Sequence, residues 1–236
     1  MKAVDGVSAH IKSGQIVLLT GTCSSGKTSL LNALLRLLPT SDGELLLDGR
    51  PATEYAADEL RRSAVYLSQG EAVLPLSLRE NVLLGARTDD AKCADMLAQR
   101  ALDLANFHRE EHWLGRDCHA RGTSAWNRRT LVEAERMRVI AARAFACLLA
   151  GGARLVLVDN AFAALDGPSE SQLIDRILAH RGSATVVIVS GRLTHLAARA
   201  DLILRMNDGR IVQQGTHEEP TRDDEGAYVK LHSDTK

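Results

Sequence analysis

The residues Gly21-Thr22-Cys23-Ser24-Ser25-Gly26-Lys27-Thr28 have the form G-x-x-x-x-G-K-[ST]. The apolar run Ile16–Thr20 before them predicts a buried strand, and Lys27–Leu38 after them predicts a helix that Pro39 stops. A strand, a glycine-rich loop and a helix N-terminus in this order direct backbone N–H groups and the positive end of a helix dipole at a chain of phosphates. The sequence therefore predicts a phosphate-binding loop.

Two further features indicate that the phosphates belong to a nucleoside triphosphate bound with Mg²⁺. Lys27 is expected to neutralise the outer phosphates, and the hydroxyl of Thr28 to bind Mg²⁺. Leu155–Asp159 is four apolar residues followed by an acid, and an Asp at the carboxyl end of a buried strand holds Mg²⁺ directly or through water in such sites. The residues predicted to contact the nucleotide are Gly21, Thr22, Cys23, Ser24, Ser25, Gly26, Lys27, Thr28 and Ser29.

Composition fits one α/β domain of ordinary size. The chain has 236 residues, of which 45% are apolar and 25% charged, and its net charge of −1 argues against nucleic acid as the main partner. Its four cysteines, Cys23, Cys93, Cys118 and Cys147, show no C-x-x-C pair and no metal-ligand spacing, which indicates free thiols in a reducing compartment. No run reaches the ~18 apolar residues of a membrane span, and residues 1–12 lack a signal-peptide core, so a cytoplasmic domain is expected.

Strand-like and helical runs alternate along the chain. The predicted strands are Ile16–Thr20, Glu44–Leu47, Ala64–Leu67, Leu155–Asp159, Thr185–Ser190, Leu202–Arg205 and Ile211–Gln214. Asp48-Gly49 and Asn207-Asp208-Gly209 predict tight turns, the second of which closes a hairpin. A mainly helical stretch, about residues 78–149, carries helical periodicity in Ala91–Ala105 and Thr130–Leu149. The predicted fold is a P-loop NTPase core, a RecA-like mixed sheet with flanking helices, plus antiparallel β hairpins and an inserted helical subdomain.

Several more motifs, in their order along nearly the whole chain, resemble the nucleotide-binding domain of an exporter-type ATP-binding cassette (ABC) transporter. The matching segments are Ser13-Gly14-Gln15 before the phosphate loop, Val65–Gln69 as the glutamine loop, Leu78–Val82 after it, Ala142-Arg143-Ala144 in the signature helix, Ala163–Asp166 as the D-loop, and the tail segments Asp208–Val212 and Gln214–Glu219. The resemblance implies one such domain over residues 1–236, with ATP and Mg²⁺ as cofactors. Gln69 would act in catalysis and contact Mg²⁺ together with Thr28 and Asp159.

The resemblance also implies partners and a location. The family pairs two such domains head to tail, so that each bound ATP lies between the phosphate loop of one and the signature motif of the other. It attaches them to the transmembrane domains of a transporter, and this places the chain in the cytoplasm, peripheral to a membrane. Nucleic acid is not among the implied partners.

Two positions of the active site depart from the family pattern. Where the family has a catalytic Glu after the Asp of the strand, this chain has Asn160, and where it has a switch histidine, this chain has Gly191. An amide can orient a water molecule but cannot accept its proton, and losing a general base costs ~10²–10⁴ in rate. Gly191 has no side chain to reach a γ-phosphate, and His195, four residues on, is a poor substitute on the following helix. The resemblance thus predicts weak hydrolysis.

The signature motif is a third departure. Counting back from Ala142, the family sequence Leu-Ser-Gly-Gly-Gln falls on Leu131-Val132-Glu133-Ala134-Glu135. Val132 lacks the serine hydroxyl that contacts the γ-phosphate bound by the partner. Glu133 adds a carboxylate, and two like charges at ~4 Å repel by about 4 kcal/mol at most at an effective dielectric of ~20. A mate with an intact signature is therefore favoured over a second copy of this chain.

Three functional hypotheses stay open from the sequence. The first is a cassette that binds Mg-ATP at a dimer interface to drive or regulate an exporter, with weakened hydrolysis. The second is a slow but active ABC transporter ATPase, and the third is a nucleotide-sensing regulatory or assembly protein without a transport role. A GTPase would carry Asn-Lys-x-Asp, which is absent. A chromosome-maintenance ATPase would place a long coiled coil between Thr28 and Asp159, which only 130 residues separate.

Overall fold

The computed structural model describes residues 3–86, 88, 90–107, 131–190 and 194–217. The strands within these ranges are β1 Ile16–Gly21, β2 Leu46–Leu47, β3 Arg50–Pro51, β4 Ala64–Ser68, β5 Leu155–Asp159, β6 Thr185–Val189, β7 Leu202–Asn207 and β8 Arg210–Gly215. The helices are α1 Lys27–Leu34, α2 Ala57–Arg62, α3 Leu78–Val82, α4 Ala91–Leu104, α5 Glu133–Ala150, α6 Gly167–His180 and α7 Thr194–Ala197, with a 3₁₀ turn at Ala52–Glu54.

Six of these strands form one sheet in the order β4–β5–β6–β1–β7–β8. Neighbouring strands are parallel from β4 to β7, and β8 is antiparallel to β7. Because the carboxyl ends of parallel strands meet at one edge of a sheet, the segments that follow β1, β4, β5 and β6 come together there. The mixed α/β fold predicted from the sequence is confirmed.

The two faces of the sheet bury separate apolar clusters. Val156 and Val158 of β5 join the cluster that includes Phe145 of α5, whereas Leu157 between them joins the cluster that includes Leu31 of α1. Strands covered on both faces read as continuous apolar runs, which is why β5 was recognisable in the sequence. The helices therefore lie on both sides of the sheet.

Two Asp-Gly pairs form the tight turns that the sequence predicts. Asp48 and Gly49 have φ of 50° and 76°, and Asp208 and Gly209 have φ of 47° and 79°. Two residues with positive φ make a type I′ turn, whose twist suits a two-residue hairpin. Each pair accordingly joins antiparallel strands, β2 to β3 and β7 to β8.

The helical stretch between β4 and β5 contains α3, α4 and α5, which pack against one another. A capping box begins α3: Ser77 Oγ accepts from the Glu80 N–H at 3.2 Å, and a Glu80 carboxylate oxygen accepts from the Ser77 N–H at 2.8 Å. The inserted subdomain at about 78–149 stays a prediction. Among the described residues, no helix has both the length and the apolar composition needed to cross a membrane.

The first helix is shorter than predicted. It ends at Leu34 rather than at Leu38, because Arg36 adopts φ of 53° and its N–H bonds to the Ala33 carbonyl at 2.9 Å. The Arg36 guanidinium also donates to two carbonyl oxygens, that of Ala52 at 3.1 Å and that of Tyr55 at 2.8 Å. Long-range hydrogen bonds therefore stop the helix before Pro39 is reached. The predicted strand at 44–47 is likewise reduced to Leu46–Leu47.

Candidate nucleotide-binding site

The phosphate loop connects the end of β1 to the start of α1. Gly21 has φ of 141° and Gly26 has φ of 97°, a range that favours glycine. A Cβ on Gly21 would collide with the Met206 carbonyl oxygen, and one on Gly26 with the Ala3 carbonyl oxygen. Both glycines of the motif are therefore required by the close approach of neighbouring backbone.

The loop leaves the N-terminus of α1 available to an anion. Within the described part of the chain, no side chain caps this terminus, whose N-cap is Gly26. The loop is fixed to the β7–β8 turn instead, through Gly209 N–H to Ser25 O at 3.1 Å and the Thr22 hydroxyl to Asn207 Oδ1 at 3.2 Å. A helix N-terminus of this kind directs N–H groups and positive potential towards a phosphate.

Lys27 lies over its own loop. Its amine donates to Gly21 O at 3.1 Å, Thr22 O at 2.6 Å and Ser25 Oγ at 3.0 Å. Burial lowers the pKa of the Lys27 amine, and the nearby Cys23 thiol and Asp159 carboxylate act in the opposite direction. These three acceptors thus hold the Lys27 amine at the loop, and the oxygens of a bound phosphate could replace them as its hydrogen-bond partners.

Asp159 is the last residue of β5 and is only 5% exposed. It lies in register with Ser68 at the end of β4 and Val189 at the end of β6. Tyr66 of β4 projects from the same face of the sheet as Asp159. Burial, with the nearby Asp159 carboxylate as the next cause, raises the pKa of the Tyr66 hydroxyl to about 12.

Asn160 occupies the position next to Asp159 in a left-handed conformation, with φ of 48°. Its N–H donates to the Val189 carbonyl at 3.0 Å, and its carbonyl accepts from the Ala163 N–H at 3.2 Å. Asn is among the few residues that adopt this conformation readily. The backbone therefore fixes an amide side chain, half-buried, at the carboxyl edge beside the phosphate loop.

Gln69 and Asp166 come from neighbouring segments. Gln69 follows β4 directly and is exposed at the same edge of the sheet. Asp166 is the N-cap of α6, where its carboxylate accepts from the Ser169 N–H at 3.2 Å, and hydrogen bonds from the Ser169 side chain and backbone hold the pKa of this carboxyl below its usual value. Gly191 lies outside the described residues.

The segment aligned with the signature motif forms the start of α5. Leu131 is buried, whereas Val132 is 62% exposed, and its N–H donates to a Glu135 carboxylate oxygen at 3.1 Å. Glu133 forms an ion pair with Arg136 at 3.7 Å. The Arg136 cation offsets part of the charge that Glu133 would present to a phosphate, so the repulsion expected from the sequence is reduced.

Sequence motifs gave no role to two buried charged residues, Arg143 and Glu170. The Arg143 guanidinium, on α5, donates to Ala72 O at 2.9 Å, Asn81 O at 3.0 Å and Glu71 Oε1 at 3.2 Å. It thereby ties the segment after Gln69 to the signature helix. An arginine inside the apolar run 139–148 was the signal that could have revealed it.

Glu170, on α6, is only 3% exposed, and no feature of the sequence around it indicates that it is buried. One carboxylate oxygen accepts from the Ser190 hydroxyl at 3.4 Å, and the other has no hydrogen-bond partner among the described residues. This contact holds α6 against the end of β6, next to the position at which the switch residue is expected.

A cleft of about 970 Å³ lies along the outer edge of β4. Its lining includes Tyr66, Glu71, Leu74, Leu84, Arg143 and Cys147. Burial raises the pKa of Glu71, against the opposing effect of Arg143, and raises the pKa of Cys147 to about 11. The lining of the cleft therefore combines the charged side chains of Glu71 and Arg143 with partly exposed leucines.

A glycine-bounded loop at a helix N-terminus, a loop lysine and an aspartate on the adjacent strand define a nucleoside-triphosphate-binding domain of the P-loop class. Residues 4–163 match the protein family described as ABC transporter. The chain belongs to this family.

Relatives agree with the family assignment. An ATP-dependent lipid A-core flippase of Ralstonia nicotianae is 33% identical over 98% of this chain and 37% of its own length. A probable multidrug resistance ABC transporter ATP-binding/permease protein, YheI, of Bacillus subtilis is 30% identical over 90% of this chain and 34% of its own length. The chain thus spans little more than a third of these relatives.

A solved structure shares the fold. It is a bacterial Atm1-family ABC exporter with ATP bound, superposes with a TM-score of 0.81 at 24% identity, and is matched over 98% of this chain and 39% of that chain. The fold of this chain therefore agrees with its assignment to the ABC transporter family.

Proposed function

We propose that this cassette binds Mg-ATP at a head-to-tail interface with a second nucleotide-binding domain, and that hydrolysis at its own site is weakened. The observation that carries the proposal is the contrast inside one site. The phosphate loop, Lys27 and Asp159 are complete, whereas an amide side chain, that of Asn160, stands where a proton acceptor is needed. ATP then acts chiefly as a ligand that holds two domains together.

Residues at the carboxyl edge fit a magnesium ion bound with the nucleotide. Thr28 is exposed in the first turn of α1, Gln69 is exposed after β4, and Asp159 supplies a carboxylate. Hydroxyl, amide and carboxylate oxygens are the ligands that Mg²⁺ prefers, together with phosphate oxygens. Mg²⁺ would neutralise phosphate charge, while Lys27 and the N-terminus of α1 bind and orient the phosphates.

A slow but active ATPase is the second candidate, and one observation favours it. Because Arg136 partly neutralises Glu133, the signature segment presents less negative charge to a partner's nucleotide than its sequence indicates. Asn160 could still orient a water molecule, which would allow residual turnover.

We propose that the cassette works at the cytoplasmic face of a membrane, attached to transmembrane domains that it drives or regulates in export. The relatives are named for different cargoes, so the proposal stops at export. The cleft beside β4 is the proposed contact surface for those domains, because it offers the partly exposed Leu74 and Leu84 beside polar groups.

Leu84→Asp is expected to abolish association with the transmembrane domains, because an unpaired carboxylate would be buried in the contact. The measurement is co-purification of the cassette with the detergent-solubilised transmembrane domains of its transporter. Nucleotide binding should be unchanged, and Leu46→Asp, at an exposed leucine of β2, is the matched control. Equal co-purification of parent and Leu84→Asp would exclude the cleft as the contact.

A heterodimer is expected to form in preference to a homodimer. In a self-pair, both ATP sites would face Val132 and Glu133, whereas a mate with an intact signature would restore the phosphate contacts above this chain's own loop. Light scattering at several protein concentrations with Mg-ATP should show a monomer for this chain alone and a dimer when it is mixed with such a mate. Tight ATP-driven homodimers would overturn the expectation.

Glu133→Gln isolates the contribution of charge. If repulsion limits self-association, this variant should homodimerise several-fold more tightly with ATP than the parent does. Glu59→Gln removes an exposed acid from the first turn of α2 and should have no effect. If both variants homodimerised more tightly to the same extent, the cause would be the change in net charge and not the signature segment.

A further inference from the structure

The turn between β7 and β8 holds the phosphate loop at the same residues that hold Lys27. The Lys27 amine donates to Thr22 O at 2.6 Å and to Ser25 Oγ at 3.0 Å. The Thr22 hydroxyl donates in turn to Asn207 Oδ1 at 3.2 Å. The Ser25 carbonyl accepts from the Gly209 N–H at 3.1 Å. The turn therefore fixes two of the residues that supply acceptors to the Lys27 amine.

The end of β7 also lies directly against the two glycines of the loop. Gly21 is in register with Met206, and a Cβ on Gly21 would lie 2.1 Å from the Met206 carbonyl oxygen. A Cβ on Gly26 would lie 3.4 Å from the methyl carbon of Met206. The strand and its turn thus support the loop at both of its ends.

The turn is itself fixed by a segment near the start of the chain. The Gly209 carbonyl accepts from the Asp5 N–H at 2.8 Å, and the Arg210 guanidinium donates to the Asp5 carboxylate at 2.7 Å. Gly209 is also buried. A turn fixed in this way can keep an exposed loop residue such as Thr22 in place.

We propose that Asn207 is a positioning residue for the nucleotide: through the Thr22 hydroxyl, its side chain keeps the phosphate loop in the shape that receives phosphates. This inference rests on the proposed function, in which the loop and Lys27 bind ATP. A loop that is ordered beforehand loses less conformational freedom on binding, so the affinity rises without a new contact to the ligand. Asn207 and Thr22 are both exposed, so their contact can be removed without disturbing the apolar core.

The test measures the affinity of the purified chain for a fluorescent ATP analogue, once with Mg²⁺ and once with EDTA. Asn207→Ala should weaken binding about fivefold in both conditions, which corresponds to about 1 kcal/mol, because binding must then order one more residue of the loop. Gln99→Ala is the matched control. It also removes an amide with one side-chain hydrogen bond, to Asp103 on α4 at 3.1 Å, and should leave both affinities unchanged.

Variants of Thr22 show whether Asn207 acts through the hydroxyl. Thr22→Val keeps the shape of the side chain but removes the donor, whereas Thr22→Ser keeps the donor and should bind like the parent. The double variant Thr22→Val/Asn207→Ala should be no weaker than Thr22→Val alone, because the amide has then lost its partner in the loop. A purely structural role of Asn207 would not depend on Thr22 in this way.

A second pair of variants tests the turn itself. Gly209 and Gly49 are each the second residue of an Asp-Gly turn, with φ of 79° and 76°, so Ala strains both backbones alike. Gly49 belongs to the separate sheet of β2 and β3, and a Cβ there would meet no described atom within 4 Å. Gly209→Ala should weaken ATP binding at least as much as Asn207→Ala does, and Gly49→Ala should leave it unchanged.

Four results would overturn the inference. They are unchanged affinity in Asn207→Ala, a loss confined to Mg²⁺, additive losses in the double variant, and equal losses in Gly209→Ala and Gly49→Ala, which would mean general destabilisation. If the parent does not bind the analogue, the proposed function fails before Asn207 is considered.

Discussion

Lys27→Ala is expected to lower the affinity for Mg-ATP by about a hundredfold or more. The Lys27 amine makes three hydrogen bonds to its own loop, and phosphate oxygens would take the place of those acceptors. Hydrogen bonds to charged groups contribute about 1.5–3 kcal/mol each, and about 3 kcal/mol corresponds to a hundredfold in affinity. No other lysine lies in the loop to replace it. Titration calorimetry with Mg-ATP provides the measurement.

Lys92→Ala is the matched control, because Lys92 is an exposed lysine in the first turn of α4. Thermal unfolding, measured with and without ATP, distinguishes a loss of nucleotide binding in Lys27→Ala from a loss of fold stability. A variant that unfolds at the parent's temperature but gains no stability from ATP has lost binding alone. Binding as tight as that of the parent would place the nucleotide site elsewhere on the chain.

Local sequence signals were sufficient for the parts of the fold that local forces determine. The buried strand β5 has the predicted bounds, Leu155–Asp159, because burial on both faces requires a continuous apolar run. Asp208-Gly209 forms the predicted hairpin turn because few other residue pairs adopt two positive φ angles in succession. The phosphate loop combines both signals, a buried strand followed by glycines with positive φ.

Contacts between distant segments determine the rest, and these have no local signature. Arg36 ends α1 through carbonyl oxygens 16 and 19 residues further along the chain. Arg143 bonds to residues 62 to 72 positions before it, and Tyr66 shares a sheet face with Asp159 only because β4 and β5 are neighbours. A single sequence contains the residues that make such contacts, but it does not show which of them contact one another.

ATP turnover by the isolated chain is expected to be at least about a hundredfold below that of ordinary ABC ATPases. In the proposed site, Asn160 takes the place of the general base but cannot accept the proton of an attacking water, and losing a general base costs ~10²–10⁴ in rate, or roughly 3–5 kcal/mol of barrier. Steady-state phosphate release at saturating Mg-ATP is the measurement. Turnover at the ordinary speed of the family in the parent chain would refute the weakened site.

Asn160→Glu alone should raise turnover by less than about tenfold. The new side chain must adopt the left-handed backbone of Asn160, with φ of 48°, which costs residues other than Gly, Asn and Asp about 1–2 kcal/mol. On the proposed function, Gly191 and the Val132/Glu133 segment would also remain unrepaired, so the new base would act in a site that still lacks its γ-phosphate contacts. Asn160→Gln has the length of Glu without its basicity and should give no gain. A large increase in Asn160→Glu but not in Asn160→Gln would show instead that the missing base is the only obstacle, and that the switch and signature departures do not limit catalysis.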